Sequence, residues 1–438
     1  MEYVLIRSSI YCVAAPLLLL LAADSALTQE PPQEAPPEPT QEGEEPQPAA
    51  PPPPPEGILP VGEIARLSFT PSDRPRVFLH QDRLVIVTAS GTVEGHDAVS
   101  GEFRWKLGLP GETLFTPVLY RADPFEILLS SVSGRLFVVS ADTGEIRREI
   151  QLPFELALAP LVDLPHLYLG TGGDVVALDA ESGAERFRAP MGEVSLALAT
   201  SGGRIVASGA GRLLTVIEAA RGVEEWRFRG RSGFHAPAVF AQDRLYVGND
   251  AGEFYCLALS DGDTKFRWAT GASIRFAALV EDRLVFVTSF GNDLYAYQAR
   301  GGAERYRVSL PGRPASGPVR IGLRLLVATY DGVIVEVDPE RGAVAKTYEA
   351  PGELVSPPAF LVGLPSTAST ASTASPASPA PGTESYLAHR IALALRTGEV
   401  LLLGHRPPVP EEVKEELPPP PPPGQIPTTA GEDSLSRK

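Results

Sequence analysis

Six histidines, two cysteines and a recurring set of aspartates are the side chains of this 438-residue chain best equipped for acid–base, nucleophilic or metal chemistry. The histidines, His80, His96, His166, His235, His389 and His405, show no metal-ligand spacing, and His96 and His405 are the one pair that adjoining first and last units would bring together. Cys256 sits between Tyr255 and Leu257, at the place another copy of the same phrase gives to Ala177, and reads as a small core residue. With Cys12 inside an N-terminal apolar run, no disulfide framework is implied. Asp97, Asp142, Asp179 and Asp338 recur at one repeat position, as expected of turn residues that bond their own backbone. Gly-x-Ser-x-Gly, Walker and His-Glu-x-x-His motifs do not occur. No catalytic, metal or cofactor-binding residue is therefore expected, and no cofactor.

The elements that hold these residues announce themselves by repetition. GTVEGHDAVSGEFRW from Gly91, GGDVVALDAESGAERF from Gly172 and GEFYCLALSDGDTKFRW from Gly252 are three of seven copies of one phrase. The second glycine of each falls at Gly101, Gly144, Gly183, Gly222, Gly262, Gly302 and Gly342, at intervals of 43, 39, 39, 40, 40 and 40 residues. Each phrase has the form of a hairpin, with an apolar strand, a turn glycine that accepts positive φ and a return strand. A second hairpin precedes it, marked by Gln81-Asp82-Arg83, Gln242-Asp243-Arg244 and Glu281-Asp282-Arg283. Four strands per unit follow. In Val175 to Leu178 both parities are apolar, so both sheet faces are covered, as when sheets stack face to face.

Four-stranded antiparallel units at this period specify an all-β fold, a β-propeller. After Gly342 an eighth unit resumes near Leu354–Leu361, Arg390–Leu395 and Glu399–Gly404 but lacks its fourth strand. Gly62-Glu63-Ile64-Ala65-Arg66-Leu67 resembles fourth-strand text such as Gly144-Glu145-Ile146-Arg147-Arg148-Glu149. Eight blades are expected, with the N-terminal strand closing the last and hiding an edge. The repeat positions predicted to build and dock the blades are Gly101, Trp105, Gly144, Gly183, Phe187, Gly222, Trp226, Gly262, Trp268, Gly302, Tyr306 and Gly342.

The phrase Ala-x-Asp-x-x-x-Gly-x-x-x-aromatic, as in Ala177, Asp179, Gly183 and Phe187, resembles the repeat of pyrroloquinoline-quinone-type propellers across residues 60–405. Prolines near the innermost strand, at Pro117, Pro160, Pro237, Pro318 and Pro357, fit that family. WD repeats share the period, but Trp-Asp is absent. Membership implies one of two functions. Quinoprotein dehydrogenases of this fold hold the quinone and calcium near the axis, often beside a disulfide between adjacent cysteines, a pair this chain lacks. The chain also resembles the cofactor-free, eight-bladed propeller family of the outer-membrane β-barrel assembly machinery. That likeness implies a non-catalytic periplasmic scaffold for protein–protein interaction, with a β-barrel assembly component as partner; a quinoprotein oxidoreductase or a degenerate relative is the alternative. The departures are the absent lipid-attachment cysteine and the added proline tails.

Domain organisation follows from composition. Residues 1–26, with an apolar run from Ile10 to Ala23, read as a signal peptide or an uncleaved N-terminal anchor to the inner membrane, so the chain is expected in the periplasm or secreted. Residues 27–60 form a spacer in which 13 prolines and seven Glu occur without Lys or Arg, and residues 406–438 form a proline-rich tail; neither can bury enough apolar surface to fold. Between them lies the propeller, residues 61–405, interrupted at 366–384 by a low-complexity loop inside blade 8.

The net charge is −16, of which −6 remains on residues 61–405 once both tails are set aside. A mildly acidic body argues against nucleic acid as a partner, and only the N-terminal segment suggests contact with a membrane. Outer strands alternate aromatic and basic residues, as in Phe103-Arg104-Trp105-Lys106, Phe187-Arg188, Trp226-Arg227-Phe228-Arg229, Phe266-Arg267-Trp268 and Arg305-Tyr306-Arg307. The aromatics are expected to dock blade on blade while the arginines pair with nearby acids; a basic rim for an acidic partner is the sharper reading. The propeller itself is expected to be monomeric.

Overall fold

A computed structural model of the chain describes Leu59 and residues 61–192, 195–281, 283–361 and 389–404. The expected leader, residues 27–58 of the spacer, the 366–384 insertion, His405 and the C-terminal tail lie outside the described residues.

The described strands form eight four-stranded antiparallel sheets. Blade 1 comprises Arg76–His80, Arg83–Val87, Thr92–Asp97 and Phe103–Gly108, in that order from the innermost strand outward. Blades 2 to 7 repeat this meander within residues 118–151, 161–190, 195–229, 239–269, 279–309 and 319–349. Blade 8 takes Ala359–Leu361, Arg390–Ala394 and Glu399–Gly404 from the end of the chain, and Gly62–Ser68 as its fourth strand from the beginning. The pairing runs antiparallel from Gly62↔Gly404 to Ser68↔Glu399, so the fold is an eight-bladed propeller closed by its N-terminal strand.

Alternation along the strands explains why both faces of each blade are apolar. In blade 2, Ile127 and Leu129 join Val85, Val87 and Val93 of blade 1, whereas Leu128 joins Leu167 and Leu169 of blade 3. Each second and third strand is thereby buried on both sides.

A second device recurs at the outer edge. Between the third and fourth strands of blades 1 to 7 the register slips by one residue, at Gly95/His96 in blade 1 and at the equivalent places through Glu336/Val337 in blade 7. The bulge turns the outer strand so that the side chain four residues after the turn glycine faces the next blade. There it meets that blade's turn glycine. A Cβ on Gly144 would sit 2.5 Å from Cε3 of Trp105, and one on Gly222 would penetrate the Phe187 ring; both glycines also hold positive φ, 71° and 72°.

Blade 7 departs from this pattern for a reason visible in the topology. Its neighbour, blade 8, has no turn between third and fourth strands, because its fourth strand arrives from the N-terminus. The small-residue and aromatic pair seen elsewhere, such as Ala177↔Phe187, becomes Glu336↔Lys346. Glu336, 1% exposed, accepts the Leu59 amide at 3.0 Å, and Lys346 Nζ donates to the Leu59 carbonyl at 2.6 Å. The incoming backbone is thus held at both polar groups before it enters the closing strand.

Candidate interaction face

Because the strands of a blade alternate in direction, the 1–2 and 3–4 hairpins of blades 1 to 7 project from one face of the disc and their 2–3 hairpins from the other. The 3–4 hairpins are built by the repeated phrase. In each, the turn glycine amide donates to the carbonyl four residues earlier, as Gly101 to Asp97 and Gly183 to Asp179, at 2.8 and 2.9 Å. Asp97 Oδ1 accepts the Val99 and Ser100 amides, Asp179 Oδ1 the Ser182 amide, and Asp338 Oδ1 the Glu340 and Arg341 amides. Asp142 differs from the expectation: Ser140 occupies the equivalent place. Asp142 lies two residues on and accepts the guanidinium of Arg83 from blade 1, with Arg83 Nε at 2.7 Å.

These turn carboxylates carry a pH signature. Burial raises the Asp97 carboxyl, but the Arg104 guanidinium and the Ser100 and Val99 amides outweigh it and bring it down to about 2. The Ser182 amide and hydroxyl together with Arg186 lower Asp179. A carboxyl depressed in the folded state stabilises above its unfolded value and loses that contribution as pH falls through the folded one. The thermal midpoint is expected to hold from neutrality to about pH 5 and to drop between about pH 4 and pH 2. A midpoint flat across that window, measured by circular dichroism, would contradict the assignment.

The twelve repeat positions lie at blade seams. Trp105, Phe187, Trp226 and Tyr306 pack on Gly144, Gly222, Gly262 and Gly342 of the following blade, and Gly101 receives Ala65 of the closing strand. Gly183 receives Ile150, because Arg148 stands where blades 1, 3, 4, 5 and 6 have the aromatic. At Gly302 the packing residue is Phe266 rather than Trp268; Trp268 lies two residues further, donates its indole N–H to the Gly302 carbonyl and stacks on Tyr297 at 4.3 Å. Many seams also carry a hydrogen bond to a carbonyl just before the 3–4 turn. Trp105 Nε1 donates to Ala141 at 2.9 Å, Trp226 Nε1 to Leu259 at 3.0 Å, Tyr306 OH to Pro339 at 2.7 Å, and the buried Arg390 of blade 8 donates to Ala98 of blade 1 at 3.0 Å.

Most outer-strand cations that follow these aromatics are paired. Lys106 reaches Glu94 at 3.0 Å, Arg188 reaches Glu185 at 2.7 Å, Arg227 reaches Glu224 at 2.6 Å and Arg267 reaches the buried Glu253 at 3.0 Å. The histidines are scattered. His96 is buried with Nδ1 3.3 Å from the Gly101 carbonyl, His80 stacks beside Phe78, and His235 Nδ1 lies 2.7 Å from Asp250 Oδ2 on the opposite face of the disc. Cys256 is fully buried, and burial pushes its thiol up, the reverse of what a nucleophilic cysteine requires. Among the described residues no three His, Cys, Asp or Glu side chains converge in a way that could hold a metal ion.

One opening on this face lies clear of the twelve repeat positions. A cleft of about 1560 Å³ crosses blades 5, 6 and 7 between their 1–2 and 3–4 hairpins. Its floor and walls include Tyr246, Val280, Leu284 and Phe286; its polar lining is dominated by Arg244, Arg283, Arg300, Arg305 and Arg320, with Asp243, Glu281 and Glu340 among them. Two of the arginines build the walls. Arg244 donates to the Ala299 carbonyl at 2.7 Å, beside Tyr246, whose hydroxyl burial pushes up to about 12, and Arg320 bridges to Glu281 at 3.2 Å. Arg283, Arg300 and Arg305 are exposed and have no ion-pair partner among the described residues. None of the twelve repeat positions lines the cleft. Its signals in the sequence were the Asp-Arg turns at Asp243-Arg244 and Asp282-Arg283, which there served to mark strands, and Arg305 in the aromatic–basic alternation whose sharper reading was a basic rim.

The family described as outer membrane protein assembly factor BamB matches residues 62–264, 230–316 and 264–401. The chain belongs to the BamB family. Among solved structures, BamB from Moraxella catarrhalis superposes with a TM-score of 0.61 at 16% identity, covering 79% of this chain and all of that one. Sqt1 of Saccharomyces cerevisiae gives 0.64 at 10% identity over 77% and 97%, and the computationally designed Ika8 protein gives 0.59 at 14% over 75% and 95%. These likenesses show the fold. A curated relative, the serine/threonine-protein kinase AfsK of Streptomyces griseus, is 31% identical over 170 residues, 35% of this chain; the match spans 21% of the kinase, about a fifth of its length. Among the described residues no helix is long and apolar enough to cross a membrane.

Proposed function

We infer that this BamB-family propeller is a non-catalytic scaffold of the cell envelope, presenting its hairpin face to a protein partner in the assembly of outer-membrane proteins. The observation that carries this reading is the family match across the whole ring, from residue 62 to residue 401. The placement of the repeat residues supports it, since their polar atoms and rings are engaged at blade seams. In this reading residues 1–26 direct export or anchor the chain, the Pro/Glu-rich spacer of residues 27–60 separates the ring from that segment, and the ring works as a monomer.

The reading is tested against redox chemistry directly. Purified protein is titrated with pyrroloquinoline quinone and calcium, following the quinone absorbance and the reduction of an artificial electron acceptor with alcohols and aldoses as donors. No saturable binding and no turnover are expected. Cofactor-dependent turnover would overturn the scaffold reading in favour of a quinoprotein oxidoreductase.

A further inference from the structure

We propose that the cleft across blades 5 to 7 binds an extended, carboxylate-rich segment of the protein partner; this inference rests on the scaffold reading. Three properties of the cleft point to that ligand. First, Arg283, Arg300 and Arg305 project from separate hairpins and one outer strand, exposed and without ion-pair partners among the described residues, on a ring whose net charge is −6. A guanidinium presents a planar fork that matches a carboxylate, so separated arginines suit separated carboxylates. Second, three acids share the lining with the arginines: Asp243 lies 3.8 Å from Arg244, Glu281 lies 3.2 Å from Arg320, and Glu340 lines the blade 7 side. That mixed-sign lining disfavours a ligand of continuous negative charge, such as an anionic membrane or a nucleic acid, and admits a chain whose acids are spaced by neutral residues. Third, the half-buried Val280 and Leu284 supply apolar surface beside the charges, which a polyphosphate would leave unused and the aliphatic or proline residues of a peptide would cover.

The probe is a fluorescein-labelled peptide of four Glu-Val-Pro units, compared with the same peptide carrying Gln for Glu, by fluorescence anisotropy at low salt. Wild-type protein is expected to bind the Glu peptide about tenfold more tightly than the Gln peptide, with affinity falling as salt rises. The variant Arg283→Gln/Arg300→Gln/Arg305→Gln changes exposed residues, is expected to keep the wild-type melting midpoint, and is expected to lose about tenfold in affinity for the Glu peptide. Asp243→Asn/Glu340→Gln, which removes two of the lining acids, is expected to tighten binding. Equal affinity for the two peptides, or no loss in the triple variant, overturns the proposal. So does preferential binding to phosphatidylglycerol vesicles over the Glu peptide, which would assign the arginines to lipid. Covalent capture of partners in cells then separates the two levels of inference. If wild type and triple variant capture the same envelope protein equally, the cleft assignment falls and the scaffold stands. If wild type captures no envelope protein, the scaffold reading falls.

Discussion

Deleting residues 1–68 is expected to produce a protein that aggregates or associates edge to edge. The segment supplies the fourth strand of blade 8, paired with Glu399–Gly404 along its whole length. Removing it uncovers that strand, whose Leu401, Leu402 and Leu403 are fully buried, and leaves a row of unpaired backbone groups of the kind that recruits another chain. It also removes the partly buried Ile64, Ala65 and Leu67 from the core between blades 8 and 1. Several strand hydrogen bonds and this apolar burial together amount to on the order of 5 kcal/mol, as large as the low end of the stability of a whole domain. Leu59 would be lost as well, leaving Glu336 buried without the amide it accepts. Size-exclusion chromatography and urea denaturation check the outcome. A monomer with the wild-type midpoint would show that blade 8 is stable with three strands and that the closing strand is incidental.

The second large effect belongs to Trp105. Its indole is 6% exposed, packs on Gly144 of blade 2 and donates to the Ala141 carbonyl at 2.9 Å. Trp105→Ala leaves a cavity between blades 1 and 2 and an unsatisfied buried carbonyl, a loss of about 3–5 kcal/mol. Trp105→Phe keeps most of the packing and forfeits the hydrogen bond, so about 1–2 kcal/mol is expected. The ordering of the two in urea midpoints matters as much as their size. Equal losses would show that the hydrogen bond, not the packing, fastens the seam.

Much of this architecture is readable in the chain because a propeller repeats its constraints. A glycine is required wherever an aromatic from the preceding blade meets a positive-φ turn, as at Gly144 and Gly222, so the glycines mark the period. The N-terminal strand could be assigned to blade 8 because a fourth strand has its own text, and Gly62 to Leu67 carries it. What could not be read lies between blades. Phe266 and Trp268 are both aromatic, two residues apart and on the same face of the strand, and only their distance from the turn decides that Phe266 packs on Gly302. Asp142 resembles the turn aspartates in composition, yet its position in the turn gives it to Arg83 instead. The Glu336 and Lys346 pair looks like two ordinary charges until the topology places the N-terminal backbone between them. The cleft is the extreme case: its five arginines come from three blades, and no spacing within one repeat could have assembled them.

We infer that this ring docks an envelope protein on the face that carries its 1–2 and 3–4 hairpins. A photo-crosslinking amino acid at Arg300, in the cleft, and at Ser90, on a 2–3 hairpin of the opposite face, tests it in intact cells of the source organism when crosslinked products are identified by mass spectrometry. Position 300 is expected to capture a component of outer-membrane protein assembly, and position 90 is not. Capture of soluble enzymes alone from position 300, or the same products from both faces, would contradict it.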